Sequence, residues 1–363
     1  MAEVRAALGR ARRVVVKIGS RTLASDRSIF ARLASAIAAR KGTAFVIVSS
    51  GAIALGMRKL GYRARPKEMA RLQAAAAAGQ SLLMRAYEEA FDAQGLAVAQ
   101  VLLTHADLAD RTRANNARAA LGALLDAGAV PILNENDSVA IEEIKFGDND
   151  QLAAMVAPLV DADLVVLLSD VEGLLDGSGK RVAVVRDVGA EAVPHVRKST
   201  GGVGSGGMGS KVEAARRATL AGANVVVADA RVPGILDAVL AGEDVGTLFV
   251  GARERMSAKR YWIAFTLRPR GTLVLDRGAA AAVRAKGKSV LSVGVLGVRG
   301  DFRAGDAVRV VDAEGSEIAR GIARCGAGDA AVVAGRARED LPPELAELAV
   351  VVHADELAVG GHA

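Results

Sequence analysis

Short apolar runs alternate with helical patterns through the first 250 residues, and this alternation limits the folds that the chain can adopt. Most of the runs are continuously apolar, which is typical of parallel strands covered on both faces. The Ala-rich stretch 67–93 between two of them has the length of a long helix. Strands that alternate with helices predict an α/β fold in which helices sandwich a mostly parallel sheet. The predicted strands are Val14–Ile18, Ala44–Val48, Val98–Leu103, Val130–Leu133, Leu164–Leu168 and Val225–Ala228.

The pattern changes after about residue 255, where short β-rich pieces separated by glycine turns replace the alternation. They predict a second, smaller, mostly-β barrel-like domain with one helical piece at Ala279–Ala285. The 363 residues are enough for two domains. The predicted organisation is a catalytic α/β domain at 1–254, a basic linker at 255–270, the β domain at 271–353 and a tail at 354–363. The β-rich pieces are Thr272–Leu275, Ser289–Val293, Ala307–Val311, Ile318–Ala323, Ala331–Val333 and Ala349–His353.

Composition excludes several classes of protein. Hydrophobic residues make up 51% and charged residues 24% of the chain, so it can bury a core. The single Cys325 excludes an internal disulfide and a cysteine-based zinc site. No apolar stretch is long enough to span a membrane, and no signal-peptide pattern opens the chain, so we expect a cytoplasmic protein. The net charge of +6 concentrates in residues 251–270, which favours a solvated connector over a nucleic-acid-binding face.

Two lysines occupy positions that favour anion binding. Lys17 lies inside a buried apolar run and is followed by Gly19, which allows close backbone approach. Lys211 follows a glycine-rich segment and opens a helical pattern, where free backbone N–H groups and the helix dipole attract phosphate. Both have plain alternatives: Lys17 can snorkel to a strand end, and the glycine segment can be a flexible surface loop. A literal dinucleotide pattern at 202–207 lacks the preceding strand that this fingerprint requires.

Polar residues also follow several predicted strands. Ser49, Ser50 and Gly51 follow the second strand, and a polar run at 134–137 follows the fourth. In open α/β sheets, ligands bind beyond the carboxyl ends of the strands. A second polar run at 147–150 opens a deeply apolar helix, and a helix cap explains only one of its four residues.

With these residues assembled, the chain resembles the glutamate 5-kinases of the amino acid kinase family along nearly its whole length, and its C-terminal part resembles a PUA domain. The resemblance implies ATP-dependent phosphorylation of the γ-carboxylate of L-glutamate, the first step of proline synthesis. The stretches that carry it are VVKIGS (15–20), SSGAIALG (49–56), NENDSVA (134–140), KFGDNDQLA (145–153), LLSDVEGL (167–174) and SGGMGSK (205–211).

The resemblance also implies site residues. Lys17 and Lys211 would contact the transferring phosphoryl group, and Asp150 would orient them. The backbone N–H groups of Gly19 and Gly51 would touch the phosphates. The positions that would bind glutamate are Ser50, Asp137 and Asn149. The positions that would bind ATP are Lys17, Ser169, Asp170, Ser205, Gly206, Gly207, Met208, Gly209, Ser210 and Lys211.

The implied cofactors are ATP and Mg²⁺, with the metal held through the ATP phosphates rather than by a protein site. The implied partners are glutamate, proline as a feedback inhibitor, and further copies of the chain in a dimer or tetramer. The chain departs from the family at Ser169, where Thr is common, and at Leu175, where an aromatic residue is common. The adenine side of the site is therefore less defined than the phosphate side.

Two alternatives stay open. A kinase of the same fold could act on acetylglutamate, aspartate or UMP. A protein of another class, one that binds or modifies RNA, is suggested by the PUA resemblance. RNA binding is disfavoured because residues 271–363 carry eleven basic and thirteen acidic residues, and Phe302 is their only aromatic residue.

Overall fold

The computed structural model describes residues 2–139, 149–196 and 207–359, and the chain divides into two units, Met1–Arg255 and Met256–Ala363. The helices of the first unit are α1 Ala2–Ala6, α2 Ser20–Ser25, α3 Ser28–Ala38, α4 Ala52–Lys59, α5 Met69–Asp92, α6 His105–Ala109, α7 Arg111–Asp126, α8 Asn149–Val156, α9 Val188–Glu191, α10 Met208–Leu220 and α11 Ile235–Ala241. Its strands are β1 Arg13–Ile18, β2 Ala44–Ser49, β3 Val98–Leu103, β4 Val130–Glu135, β5 Leu164–Ser169, β6 Val184–Val185, β7 Asn224–Asp229 and β8 Thr247–Phe249.

The described strands of the first unit form one mostly parallel sheet in the order β3-β4-β2-β1-β5-β7-β8-β6. Neighbours from β3 to β7 run parallel, and β8 pairs antiparallel with β7. The predicted fold class is therefore confirmed, and all six predicted strands are present. The sequence reading missed β6 and β8, which have only two and three residues and carry little periodic signal.

Both faces of this sheet are covered, as its continuous apolar strands require. In β1, Val14, Val16 and Ile18 face one apolar cluster with α3, α5 and α11, whereas Val15 faces a second cluster with α8 and α10. Successive strand residues point to opposite faces, so Lys17 lies on the same face as Val15. The sheet order places β1 in the centre, with β2 and β5 on either side.

Two glycines let α4 and α5 cross in direct backbone contact. A Cβ added at Gly56 would lie 1.7 Å from the Ala75 carbonyl oxygen, and one at Gly79 would lie 1.8 Å from the Ala52 carbonyl oxygen. No side chain fits at such distances. This crossing explains the glycine that ends the 49–56 stretch, and it fixes α4, which begins at the carboxyl end of β2.

The second unit contains α12 Ala258–Tyr261, α13 Arg277–Lys286 and α14 Ala327–Val333. Its strands are β9 Gly271–Leu275, β10 Val290–Leu291, β11 Val295–Gly300, β12 Ala307–Val311, β13 Glu317–Ile322, β14 Val350–Val352 and β15 Leu357–Val359. They form a five-stranded sheet, β11-β9-β12-β13-β15, and the pair β10-β14. This is the smaller mostly-β domain that the sequence predicts.

Three details of the second unit differ from the sequence reading. The stretch 255–270, predicted as a solvated linker, is folded instead: it holds α12 and a π-helical turn, Trp262–Thr266. Ile263, Ala264 and Phe265 of this turn are buried. The predicted strand Ala331–Val333 is the end of α14, whose buried residues Ala330 and Val333 follow a helical spacing. The predicted tail contributes β15, which pairs with β13.

No helix in the described part of the chain is both long enough and apolar enough to cross a membrane.

Candidate functional site

A buried carboxylate lies between two lysine ammonium groups at the centre of the first unit. Asp150 Oδ1 lies 2.5 Å from Lys17 Nζ, and Asp150 Oδ2 lies 3.0 Å from Lys211 Nζ. The relative exposures are 0% for Asp150, 6% for Lys17 and 3% for Lys211. The structure thus brings together the three residues that were predicted to be catalytic.

Three elements on one face of the sheet position this triad. Strand alternation points Lys17 from β1 toward α8, whose first turn supplies Asp150. Lys211 lies in the first turns of α10, which packs against α8. The Gln151 side chain donates to the Ser210 carbonyl at 3.1 Å and ties the starts of the two helices together.

The charges of the triad depend on each other. Burial alone would raise the pKa of Asp150, but the charges and hydrogen bonds of Lys17 and Lys211 outweigh it, so this pKa lies below its ordinary value. Asp150 is ionised at neutral pH, and the triad carries a net charge of +1. It can attract an anion, whereas its carboxylate is too strongly held to act as a proton acceptor.

A second polar cluster lies beside the triad. The Asn149 amide nitrogen lies 2.6 Å from the Ser49 carbonyl oxygen, 2.7 Å from Ser50 Oγ and 3.0 Å from Asn134 Oδ1. Asn134 in turn donates to Gln80 at 3.0 Å. This cluster joins the carboxyl ends of β2 and β4 to the start of α8, so Ser50 and Asn149 are brought together as the resemblance implies.

Two adjacent serines serve different faces of the sheet. Ser49, at the end of β2, is fully buried and accepts a hydrogen bond of 2.9 Å from the Tyr87 hydroxyl of α5. Burial raises the pKa of Tyr87, which stays neutral. Ser50 points the other way, to Asn149. The hydrogen bond from Tyr87 to Ser49 therefore holds the backbone next to Ser50 in place.

Asp137 lies in the turn after β4, three residues beyond Asn134. It is half-buried, and burial raises its pKa to about 6, although the charge of Arg65 lowers it. A carboxylate with this pKa gains from a cationic partner. Residues 140–148, which include the start of the second polar run, lie outside the described residues.

The two glycines that were predicted to contact phosphate differ in their backbone conformation and hydrogen bonding. Gly51 has φ = 100° and precedes the first residue of α4, so its left-handed backbone favours glycine there. The Gly19 N–H donates to the Leu168 carbonyl at 3.3 Å, because the pairing of β1 with β5 continues one residue past β1. The contact of this N–H with a phosphate stays a prediction.

The nucleotide-binding positions fall into a described and an undescribed part. Gly207 precedes α10 and accepts from the Ser210 N–H at 3.1 Å, and Met208 packs against the second core cluster. A Cβ at Gly209 would lie 3.3 Å from Val196 Cγ1, so a larger residue there would press on this side chain. Ser205 and Gly206 lie outside the described residues.

Ser169 ends β5, and Asp170, which follows it, contacts two arginines that the sequence reading did not identify. Ser169 Oγ donates to Asp170 Oδ1 at 3.1 Å, and Arg21 Nη1 lies 2.8 Å from Asp170 Oδ2. Arg231 donates to the Asp170 carbonyl at 3.1 Å. The sequence signal for Arg21 was its position three residues after the end of the first strand. The contact of Arg231 depends on the strand order and has no local signal.

Comparisons with known proteins agree with this geometry. Residues 12–229 match the model of the amino acid kinase family, and residues 271–341 match that of the PUA domain. A glutamate 5-kinase of Myxococcus xanthus is 48% identical over 98% of both chains. Those of Geobacter metallireducens and Thermus thermophilus are 46% and 45% identical, over 87% and 96% of this chain and 88% and 97% of theirs.

The sequence match thus extends over both units, and the buried Lys-Asp-Lys arrangement lies within the matched kinase region. On these grounds the chain belongs to the amino acid kinase family, alongside the glutamate 5-kinases that it resembles over nearly its full length.

Proposed function

We propose that the chain transfers the γ-phosphoryl group of ATP to the γ-carboxylate of L-glutamate, giving L-glutamyl 5-phosphate in the first step of proline synthesis. The observation that carries the proposal is the buried Asp150 held between Lys17 and Lys211. The relatives of nearly the same length named glutamate 5-kinase support the choice of acceptor.

The reaction matches what this triad can do. The γ-carboxylate is already ionised at neutral pH, so the attacking oxygen needs no general base. The barrier comes from bringing two anions together and from charge on the phosphoryl oxygens, which positioning and electrostatic stabilisation lower. Lys17 and Lys211 supply fixed positive charge in a water-poor site. Asp150 limits their mutual repulsion and holds both ammonium groups in one geometry.

The polar cluster supports a place for the amino acid. Ser50 and Asn149 offer a hydroxyl and an amide beside the triad, and Asp137 offers a carboxylate for the substrate ammonium group. These three residues therefore bind glutamate in this proposal. Ser169, Asp170 and the start of α10 bind ATP.

Magnesium enters the proposal with the nucleotide. Both Asp150 oxygens lie within 3.0 Å of lysine nitrogens, so this carboxylate is poorly suited to hold a cation. Within residues 2–139, 149–196 and 207–359, no group of three acidic, histidine or cysteine side chains could hold a metal ion. Phosphate-bound Mg²⁺ would neutralise charge on the ATP phosphates, and the lysines would orient them.

The test uses purified full-length protein with ATP, Mg²⁺ and L-glutamate, with hydroxylamine present to trap an acyl phosphate as hydroxamate. Hydroxamate that depends on glutamate, together with no ATP consumption on aspartate, acetylglutamate or UMP, is the expected result. A folded, ATP-binding protein that forms no hydroxamate would contradict the proposed acceptor. Lys211→Ala is the matched negative control and should lower turnover by roughly 10²–10³-fold.

A second candidate, RNA binding by the second unit, has one observation in its favour. Strand register places Arg299, Arg309 and Arg320 in one row across β11, β12 and β13. Against it, Arg320 is paired with Glu317, and Phe302, which is the only Phe, Tyr or Trp of residues 271–359, is 2% exposed and therefore not available for base stacking. We predict no submicromolar, salt-resistant binding of structured RNA. A mobility shift that persists at 0.3 M salt would revive this candidate.

Cytoplasmic location, assembly into a dimer or tetramer and feedback inhibition by proline complete the proposal. The assembly and the inhibition follow from the resemblance alone, and the location repeats the expectation from the sequence. Size-exclusion chromatography with light scattering tests the assembly, and proline added to the hydroxamate assay tests the inhibition.

A further inference from the structure

An ion pair joins the carboxyl ends of two central strands beside the triad. Arg21, in the first turn of α2 after β1, places Nη1 2.8 Å from Oδ2 of Asp170, the residue that follows β5. The Arg21 side chain is 74% exposed and that of Asp170 is 31% exposed. A Cβ at Gly19, two residues before Arg21, would lie 4.0 Å from Lys17 Nζ, so the backbone that leads into α2 passes beside the triad.

Asp170 is also held from two other sides. Ser169 Oγ donates to its Oδ1 at 3.1 Å, and Arg231 Nη2 donates to its carbonyl oxygen at 3.1 Å. The Arg231 guanidinium is itself fixed by both carboxylate oxygens of Asp229, at the end of β7. The carboxyl ends of β1, β5 and β7 are therefore linked by one chain of alternating charges, in which Asp170 is central.

The fold gains little from the Arg21–Asp170 pair. Exposed ion pairs contribute little to stability, because solvent screens them and two side chains lose freedom. The pair lies at the edge of the sheet where ligands of open α/β folds bind, so ligand binding explains it better than stability does. A bare Asp170 carboxylate would repel the polyphosphate that Lys17 and Lys211 attract. Arg21 cancels that charge and fixes the direction of Oδ1 and Oδ2.

We propose that Arg21 is a positioning residue for the nucleotide: it acts through Asp170, neutralising and orienting this carboxylate so that MgATP can bind. The inference rests on the proposed use of ATP and goes beyond it by adding a residue that sets nucleotide affinity. Arg21 then affects ATP binding and leaves the amino acid side of the site, around Ser50 and Asn149, unchanged.

The test is a double-mutant cycle with Arg21→Ala, Asp170→Asn and the double variant in the full-length protein. MgATP affinity is measured directly by calorimetry, without turnover. Arg21→Ala alone should weaken MgATP about tenfold, the scale of one charge-assisted hydrogen bond. In the Asp170→Asn background the same change should have no further effect. Arg21→Lys should restore part of the affinity.

The matched control is Arg113→Ala. Arg113 is 67% exposed and pairs with Asp107 at 2.9 Å, on helices that take no part in the proposed site. This variant should bind MgATP like the wild type.

Three outcomes would overturn the inference. The first is an unchanged MgATP affinity in Arg21→Ala. The second is an equal loss of MgATP affinity when Arg21→Ala is made in the wild type and in Asp170→Asn, which would mean that Arg21 contacts the nucleotide directly. The third is an effect confined to the KM for glutamate. Failure of the proposed function is separate: a protein that forms no hydroxamate can still show, or fail to show, this coupling in ATP binding.

Discussion

Asp150→Asn tests the electrostatics of the triad most directly, because it keeps the side-chain volume and removes the charge between two buried ammonium groups. Removing one partner of a buried ion pair costs about 3–5 kcal/mol, since the other charge is left uncompensated. A buried lysine can avoid part of that cost by losing its proton. Removing the proton from an ordinary lysine, whose pKa is near 10.4, costs about 3 kcal/mol at pH 8. We therefore expect Asp150→Asn to lower the free energy of unfolding of the first unit by about 3 kcal/mol.

The pH dependence gives the prediction its sign. In the wild type, the two lysines hold the pKa of Asp150 below its ordinary value, so the stability that this carboxylate contributes is complete above the ordinary pKa of an aspartate and is lost as the pH falls through the lowered folded-state pKa. Asp150→Asn lacks this contribution, so its deficit relative to the wild type should be constant around neutral pH and should shrink toward low pH. A cavity or a lost packing contact would give a deficit independent of pH.

The assay is a thermal melt followed by far-UV circular dichroism, with tryptophan fluorescence recorded in parallel. The single tryptophan, Trp262, belongs to the second unit and reports its unfolding separately. A loss of 3 kcal/mol should lower the melting temperature of the first unit by roughly 6–12 °C. The matched control is Asp161→Asn, which removes an exposed carboxylate 3.5 Å from Arg13 and should change little. If Asp150→Asn melts like Asp161→Asn at pH 8, the lysines do not share this carboxylate and the reasoning is wrong.

Two further predictions follow from the site and the fold. Burial raises the pKa of Asp137 to about 6, so kcat/KM for glutamate should fall as the pH drops through about 6, because the protonated side chain no longer attracts the substrate ammonium group. Asp137→Asn should lower kcat/KM and remove this pH step. An unchanged pH profile in the variant would contradict the assignment. Gly79→Ala should destabilise the first unit by about 1–3 kcal/mol in chemical denaturation, because its Cβ would overlap the Ala52 carbonyl oxygen. The control Gly122→Ala, in α7 with no atom within 4 Å of the added Cβ, should stabilise the first unit by about 0.5–1 kcal/mol. Equal effects of the two variants would show that the close crossing of α4 and α5 does not matter.

The sequence predicts the central sheet well because its strands are buried on both faces and consist of continuous apolar runs. It predicts the peripheral strands poorly. The short strands β6 and β8 are fixed by tertiary contacts, among them the buried Arg5, which donates to the backbone carbonyls of Glu243 and Val245 on the loop before β8. Such contacts join residues more than 200 positions apart and leave no local pattern.

The site shows the same division. The two lysines were visible because each lies where a positive charge is costly without an anion, one in a buried strand and one at a helix start. Their common partner Asp150 entered only through the resemblance, since a polar run before a helix also fits a helix cap. Arg21 was overlooked because an exposed arginine is ordinary anywhere on a surface. Its pairing with Asp170 depends on β1 and β5 being neighbours, which strand periodicity does not specify.

The arrangement around Asp150 shows how two like charges can be kept ready for an anionic transition state. Without the carboxylate, Lys17 and Lys211 would repel each other, and burial would favour their neutral forms. With two carboxylates, the site would carry no net charge and would attract a phosphate only weakly. One carboxylate between two ammonium groups offsets part of their mutual repulsion and leaves a net positive charge at the carboxyl edge of the sheet. Since the acceptor carboxylate needs no base, such a site can devote its charged groups to holding the transferring phosphoryl group.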